Sequence, residues 1–516
     1  MVVMNLSNLK ITFIPEENLI FGGNQEEKDP RIGLKYFGPY RYSSESTAFE
    51  TIRAGIVGNK SVIEKIKDIH RLITNPVQSL ESNKWLYPEF PGMSRASNFN
   101  CSLDLSGNWQ ETILNSEIER ITKIKDVNER IGAAVVLYLG KIENIMEEDN
   151  HPHVIICGVP NEVEDYCGIS ERTRGAKTPK PSTLEKEIQR LKAKNQQFLQ
   201  EWGLVIDEEK EEKAKGFDFR NALKGRVMGL KSPAPIQLLR ESTADSILNY
   251  SPLQKRRTQD PASFAWNFST ALYYKANGKP WRLAKLRQDT CFVGISFYRD
   301  KMSFNKDMQT SMAQVFTHNG EGLVLRGNEV YIDEKTKEPH LSEKQAQELM
   351  DAALQMYNRK AGRTPSRAVI HKSTLFTKAE KDGFSKAIGD LKRDFVTISR
   401  RNREIRFMRM GSYPVLRGTL ISLTEDEHIL FTAGYIPRLR TYPGHRIPSP
   451  LMIIHDGDTE IVEVCREILG LTKLNWNTTA FSTDLPITLK FSDRVGRILS
   501  EHDSSSPLQN HYKFYM

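Results

Sequence analysis

Residues 151–160 read HPHVIICGVP, a short β-rich apolar run that stops at Gly158 and Pro160. A polar, helix-compatible segment follows. An apolar run of this length, bounded by turn residues and succeeded by a helix, predicts a βα unit of a parallel sheet. The same texture continues in both directions. Residues 48–75 carry helical spacing interrupted at Gly55 and Gly58, which predicts a strand leading into a helix. Beyond Trp281, CFVGISFYR (291–299) has the small, β-branched and aromatic residues of a buried strand. Gln345–Tyr357 is amphipathic with helical period, and Arg367–His371 is a short strand opened by Pro365. An apolar strand at 428–433 leads into Gly434–Arg438, and residues 471–499 read as a loop, a strand and a last helix. Residues 7–40 read as strands and loops. Strands interleaved with helices throughout make the chain α/β, with a domain boundary that divides it into 1–285 and 286–516.

A chain of 516 residues is long enough for at least two packed domains. Its 39% hydrophobic and 27% charged residues are those of a globular protein. No apolar run approaches the length of a membrane-spanning helix, and the N-terminus lacks the basic head and apolar core of a secretory signal. The five cysteines (Cys101, Cys157, Cys167, Cys291, Cys465) are odd in number and scattered. That spacing excludes a disulfide framework and a CxxC zinc site, and suits core thiols in a reducing cytoplasm.

Charge is concentrated in one place. From Arg220 to Arg287 there are thirteen Lys/Arg against three acids, a net +10, whereas the whole chain carries +8. Trp266, Tyr273, Tyr274 and Trp281 lie in the same window, a mixture suited to a polyphosphate or nucleic-acid site. Arg220 and Lys224 are four apart on a predicted helix and share a face. Gln237 follows a Pro-containing turn. Lys275 and Lys279 are again four apart near the end of a helical segment. Two such cationic pairs and an amide can converge on one phosphate, although spacing alone is equally that of solvated helix faces. Residues 170–182 read as an exposed basic loop, followed by a helix that Ser182 and Glu185 begin as a capping box. Residues 207–215 are a charge run.

The order R-xx-L-K, then P-x-Q, then L-xx-K-x-N-x-K resembles the guide 5′-phosphate pocket of the MID domain of Argonaute proteins. Lys224, Gln237, Lys275 and Lys279 match that pattern position by position. At the first position, where the family often has a tyrosine or histidine stacked on the first guide base, this chain has Arg220. The second half resembles the PIWI domain of the same family, so the resemblance implies a Rossmann-like MID domain within 1–285 and an RNase H-like PIWI domain over 286–516. An active PIWI nuclease holds two divalent ions on acidic residues at strand ends. At the matching positions this chain has Ser296 and Ser373, and Asp493 remains. Two serines and one aspartate cannot cage two Mg²⁺, so the resemblance implies no slicing and no metal at that site. Arg438 and Arg440 fall where a PIWI domain contacts nucleic-acid backbone, with Arg400, Arg401, Arg403, Arg406 and Arg409 as a second cluster; both are also readable as solubilising surface. Glu321 reads as a turn residue, Trp476 as a packing anchor and His371 as a core histidine.

The length leaves no room for the N-terminal and PAZ domains of a full Argonaute, so the chain resembles a short prokaryotic Argonaute. That resemblance implies a guide RNA held by its 5′ end, with a place for Mg²⁺ at the 5′-phosphate, and a single-stranded DNA target. It also implies an APAZ-containing effector partner (TIR, sirtuin-like NADase or nuclease) whose activation depletes NAD or degrades nucleic acid in abortive defence. Two other readings stand beside it. One is a guide-dependent nuclease whose metal site is rebuilt from Glu321 or Asp300. The other is a structural subunit that binds nucleic acid without a guide.

Overall fold

The computed structural model describes residues 9–40, 51–168, 218–251, 259–287, 289–299, 309–317, 320–333, 338–400, 406–407, 414–444, 446–502 and 506–516. The predicted capping box at Ser182, the basic loop 170–182, the charge run 207–215 and Asp300 lie outside these residues, as do Lys255–Arg257, Arg401, Arg403 and Arg409.

The HVIICGVP run forms the strand Val154–Val159, buried along its whole length. It pairs in parallel with Thr51–Gly58 on one side and Ile236–Arg240 on the other. Ser102–Asp104 and Gln110–Thr112 also pair in parallel with Thr51–Gly58. A sheet buried on both faces requires continuous apolar strands rather than alternation, and helices cover it. Lys60–Thr74 and Val127–Glu147 follow strands of this sheet, capped by Asn59 and Asp126. Their Ile and Val stripes enter two apolar clusters on the two faces. This is the Rossmann-like layer arrangement.

The second half is built on a ten-stranded sheet. Thr290–Arg299, Gln309–Phe316 and Gly322–Ile332 form an antiparallel meander. On its other edge Thr290–Arg299 pairs in parallel with Arg367–Lys372, which pairs in parallel with Lys392–Ser399. Leu451–Gly457 then adds antiparallel. Three antiparallel strands continued by two parallel ones, with the helices Glu343–Ala361 and Lys378–Ile388 packed beside them, give the RNase H-like order.

The N-terminal segment joins both units. Lys10–Phe13 adds to the edge strand Thr419–Ser422 of the large sheet. Leu19–Ile20 then pairs with Glu26–Glu27 and with Arg282–Leu283, close to the predicted boundary at 285. Two local readings are corrected. Within 7–40, Pro30–Phe37 is a helix, because Asp29 accepts from the amides of Arg31 (2.8 Å) and Ile32 (3.3 Å) while Pro30 occupies the first turn. The strand expected within 471–499 does not form; Ile487–Lys490 is instead one turn of helix, in which the Pro486 carbonyl accepts from Leu489 and Lys490.

That turn rests against Gly294. A Cβ on Gly294 would strike the backbone carbonyl of Thr488. Thr488 also holds the Nδ1 side of buried His371, at 2.8 Å. Gly294→Ala is therefore expected to cost about 1–3 kcal/mol as overpacking, read as a lowered midpoint in thermal unfolding.

Candidate nucleic-acid interface

The basic window divides into core and site. Trp266, Trp281, Tyr273 and Tyr274 are all buried in the apolar core. The Trp266 indole N–H donates to the Pro88 carbonyl (3.1 Å) and that of Trp281 to the Lys473 carbonyl (2.9 Å). These aromatics hold the units together and offer no stacking face, which corrects their reading as part of a nucleic-acid surface.

Around them, three elements of the first unit bring cations inward. Asp218 caps the helix Phe219–Met228 through the Asn221 amide, and places Arg220 and Lys224 one turn apart. The helix Pro261–Lys275, capped by Asp260, ends on Lys275. The strand Ile236–Arg240 supplies Gln237, whose Oε1 accepts from the Lys275 ammonium. From the second half, the helix Ser492–Leu499 contributes Arg494, and the Lys224 ammonium donates to the backbone oxygen of Met516. Lys224 and Lys275 are each only 2% exposed.

Four cations therefore gather here, Lys224 and Lys275 buried and Arg220 and Arg494 half-buried, with Asp218 as the carboxylate that acts on Lys224 and the two arginines. Burial and the neighbouring Arg220, Lys275 and Arg494 hold Lys224 well below the usual lysine range. Burial and the same arginines push Lys275 down to about 7. Arg220 falls to about 10 through burial and the facing Arg494. Buried like charges are costly unless an anion pairs them. The donors present are two ammonium and two guanidinium groups, a set made for a phosphate. They do not fit a bare divalent cation, which would meet four basic side chains for the Asp218 carboxylate, the Gln237 amide and the Met516 oxygen.

Lys279 is placed elsewhere. The helix ends at Lys275, and the chain turns away through Asn277 at φ 72°. The Lys279 ammonium lies 2.8 Å from Glu321, which Lys360 also approaches at 3.1 Å. Glu321, the candidate for a rebuilt metal site, is thus an ion-pair partner of two lysines. Arg494 and Met516 were not singled out in the sequence. Nothing local marks either, because each reaches the pocket only through tertiary packing between the two halves.

The three positions Ser296, Ser373 and Asp493 do come together. In the parallel register Ile295 faces Lys372, so Ser296 and Ser373 are the next residues along adjacent strands. With Asp493 they line one cavity of about 720 Å³, together with Thr374, Ser399, Arg400, Lys490 and Ser492. Asp493 is the one carboxylate among these lining residues. Among the described residues no group of three or more His, Cys, Asp or Glu is arranged to hold a metal ion.

Arg438 and Arg440 converge on Trp85, their guanidinium carbons 5.5 and 4.6 Å from its ring centroid. Arg438 also pairs with Glu27 at 2.9 Å. Arg400 pairs with Asp484. His371 is buried and pushed down to about 3 by burial and Arg367, and Trp476 is buried edge-on to Tyr274, both as core residues. All five cysteines are buried and none is joined in a disulfide.

Compared with solved structures, the chain is similar to the Clostridium butyricum Argonaute bound to a guide DNA and a 19-mer target DNA (TM-score 0.61, 15% identity, 97% of this chain and 54% of that one). It is similar to Drosophila Piwi (TM-score 0.60, 12% identity, 98% and 56%). It is also similar to the Marinitoga piezophila Argonaute in complex with a 5′ OH guide RNA (TM-score 0.53, 12% identity, 98% and 59%). The fold is that of the Argonaute and Piwi proteins. The first unit is accordingly MID-like and the second PIWI-like. The chain spans a little over half the length of the solved structures it matches. No protein-family model and no curated protein matches it. Among the described residues, no helix is long and apolar enough to cross a membrane.

Proposed function

We propose that the chain holds the 5′-phosphate of a guide strand on Arg220, Lys224, Lys275 and Arg494, and presents that guide for pairing with a target strand. The observation that carries this reading is the convergence of two buried lysines and two half-buried arginines beside Asp218, an arrangement that an incoming phosphate relieves. Solved proteins of the same fold are complexes with guide or target strands. Base pairing then reads sequence, while the protein contacts the backbone and the 5′ end. We further propose that Ser296 and Ser373 leave the PIWI-like cavity unable to hold two metal ions, so that the paired target is sensed rather than cut. Its recognition is passed to a partner chain of the APAZ-effector type, with a guide RNA and a DNA target as the preferred pair.

The proton balance at Lys275 gives the test. Its ammonium titrates at about 7 in the unliganded pocket. A bound phosphate dianion favours the charged form and raises that value. Above the free value the complex therefore holds more protons than its separated parts, and affinity falls as pH rises. The preference for 5′-phosphate over 5′-hydroxyl RNA is expected to weaken from about pH 7 to about pH 8.5, by up to about tenfold per unit for one coupled proton. Paired filter-binding titrations measure it, and a preference constant across that range would refute the assignment. Nucleic acid copurifying with the chain should likewise share one length and a 5′-phosphate; a heterogeneous pool would favour guide-independent binding.

A further inference from the structure

A second cavity, of about 400 Å³, lies where the start of the helix Pro30–Phe37 meets the loops 432–444 and 479–484. Two charged residues of that helix end line it, Asp29 at 3% exposure and Arg31 at 9%. The protein uses only part of each. Asp29 receives the amides of Arg31 and Ile32 on Oδ1 alone, and its Oδ2 has no hydrogen-bond partner among the described residues. Arg31 donates through Nε to the Thr479 hydroxyl (3.0 Å) and through Nη1 to the Leu86 carbonyl (2.7 Å), and its Nη2 is likewise unpartnered. Burial pushes the Asp29 carboxyl up and the Arg31 guanidinium down, each opposed by the other. The remaining charges on the wall are engaged: Arg417 by Glu16, Thr472 and the Thr432 and Leu469 carbonyls, and Asp484 by Arg400 and Lys490. The rings of Tyr87, Tyr442 and Phe481 form much of the rest.

The unused atoms are thus one acceptor and one donor, set among aromatic rings. A phosphate would meet the Asp29 carboxylate, and a metal ion the Arg31 guanidinium. A net-neutral ring that carries a donor beside an acceptor satisfies both. Guanine is such a ring: N1–H lies next to the O6 acceptor, and its faces stack on aromatic side chains. Adenine reverses the polarity along the same edge. A strand's phosphates would find no free counter-charge on the wall besides Arg31, which favours an unphosphorylated ligand. We propose that this cavity binds a free guanine nucleoside, with Asp29 Oδ2 accepting from N1–H and Arg31 Nη2 donating to O6.

Calorimetric titration of the full chain with guanosine tests this, since guanosine carries no phosphate and makes no call on the cluster at Lys224. A Kd of about 100 µM is expected, with adenosine at least about tenfold weaker. The decisive variant is Asp29→Asn. The two amides hold its side-chain oxygen, so its nitrogen takes the place of Oδ2 and donates where the carboxylate accepted. The helix keeps its cap, and an unchanged thermal midpoint shows that the variant is folded, while guanosine affinity should fall about tenfold or more. Tyr87→Leu removes a stacking face without touching either charged group, and should weaken guanosine by about tenfold as well. The assignment is overturned if guanosine fails to bind at about 1 mM, if adenosine or an α-amino acid binds as well, or if both variants bind as the wild type does. It is equally overturned if a guanine-containing strand displaces guanosine and a guanine-free strand of the same length does not, because the pocket then belongs to a strand base.

Discussion

Replacing Lys224 and Lys275 together by methionine is expected to abolish discrimination between 5′-phosphate and 5′-hydroxyl guides while raising the thermal midpoint of the unliganded protein. Both effects have one cause. Each ammonium is almost wholly buried beside Arg220 and Arg494, and burial drives both below the lysine range. In the empty pocket they oppose folding. An unfolded lysine keeps its proton up to about pH 10, whereas Lys275 gives it up at about 7, so between those values stability rises with pH. Methionine fills similar volume without that cost. With phosphate bound, the same ammoniums make charge-assisted hydrogen bonds of about 1.5–3 kcal/mol each. Their loss should reduce the phosphate preference by about a hundredfold or more. Lys279→Ala is the contrast: its ammonium is paired with Glu321, so the preference should change by less than about threefold. Binding titrations of the two guides, with calorimetry on the free proteins, would decide it. A double variant that still prefers the phosphate would place the guide end elsewhere.

Arg367→Met should be the most damaging single change outside the pocket. Arg367 is 1% exposed and donates through Nε to Asp394 (2.6 Å) and through both terminal nitrogens to Glu467 (2.6 and 3.0 Å). Asp394 also binds His455 (2.9 Å) and Thr459. Removing the guanidinium leaves two buried carboxylates facing one another, a loss of about 3–5 kcal/mol and roughly ten degrees in thermal midpoint. In the wild type Asp394 overcomes its burial through His455 and Arg367 and sits below the usual range. That stability is present above the unfolded aspartate value and is lost as pH falls through the folded one. In the variant Asp394 rises instead and Glu467, already raised by burial, rises further, so its deficit should shrink as the pH is lowered toward about 5. Adding Glu467→Leu should recover much of the loss. If Arg367→Met melts within two degrees of the wild type, the ion-pair network does not hold the PIWI-like sheet to its helix Ile461–Leu471.

Much of this was legible in the chain, and the omissions have physical reasons. The buried strands Val154–Val159, Thr290–Arg299 and Arg367–Lys372 announce themselves through apolar, β-branched cores (VIICGV, CFVGI and AVI), the mark of parallel and central strands. Asp29-Pro30 was a readable cap-and-first-turn signal for the helix Pro30–Phe37. The helix Ile487–Lys490 was not legible, since one turn is too short to establish a period. In the site, Arg220 and Lys224 share one pocket because a single helix carries both. Lys275 and Lys279 do not, because the helix ends between them. The four aromatics of the basic window are core because a large ring beside charge is as useful for packing as for stacking. Arg494 and Met516 had no local signature, since their roles arise from the contact between halves.

That contact has a thermodynamic consequence. The Phe219–Met228 helix belongs to the MID-like unit, yet Lys224 on it donates to the backbone oxygen of Met516 in the PIWI-like half, and Arg494 of that half acts on the same cluster. An anion arriving here therefore meets both halves at once. By reciprocity, whatever factor the apposition of the halves contributes to guide affinity, a seated guide returns to their apposition. If the pocket takes the guide end as proposed, loading of the 5′ end is in this sense an assembly step for the protein itself.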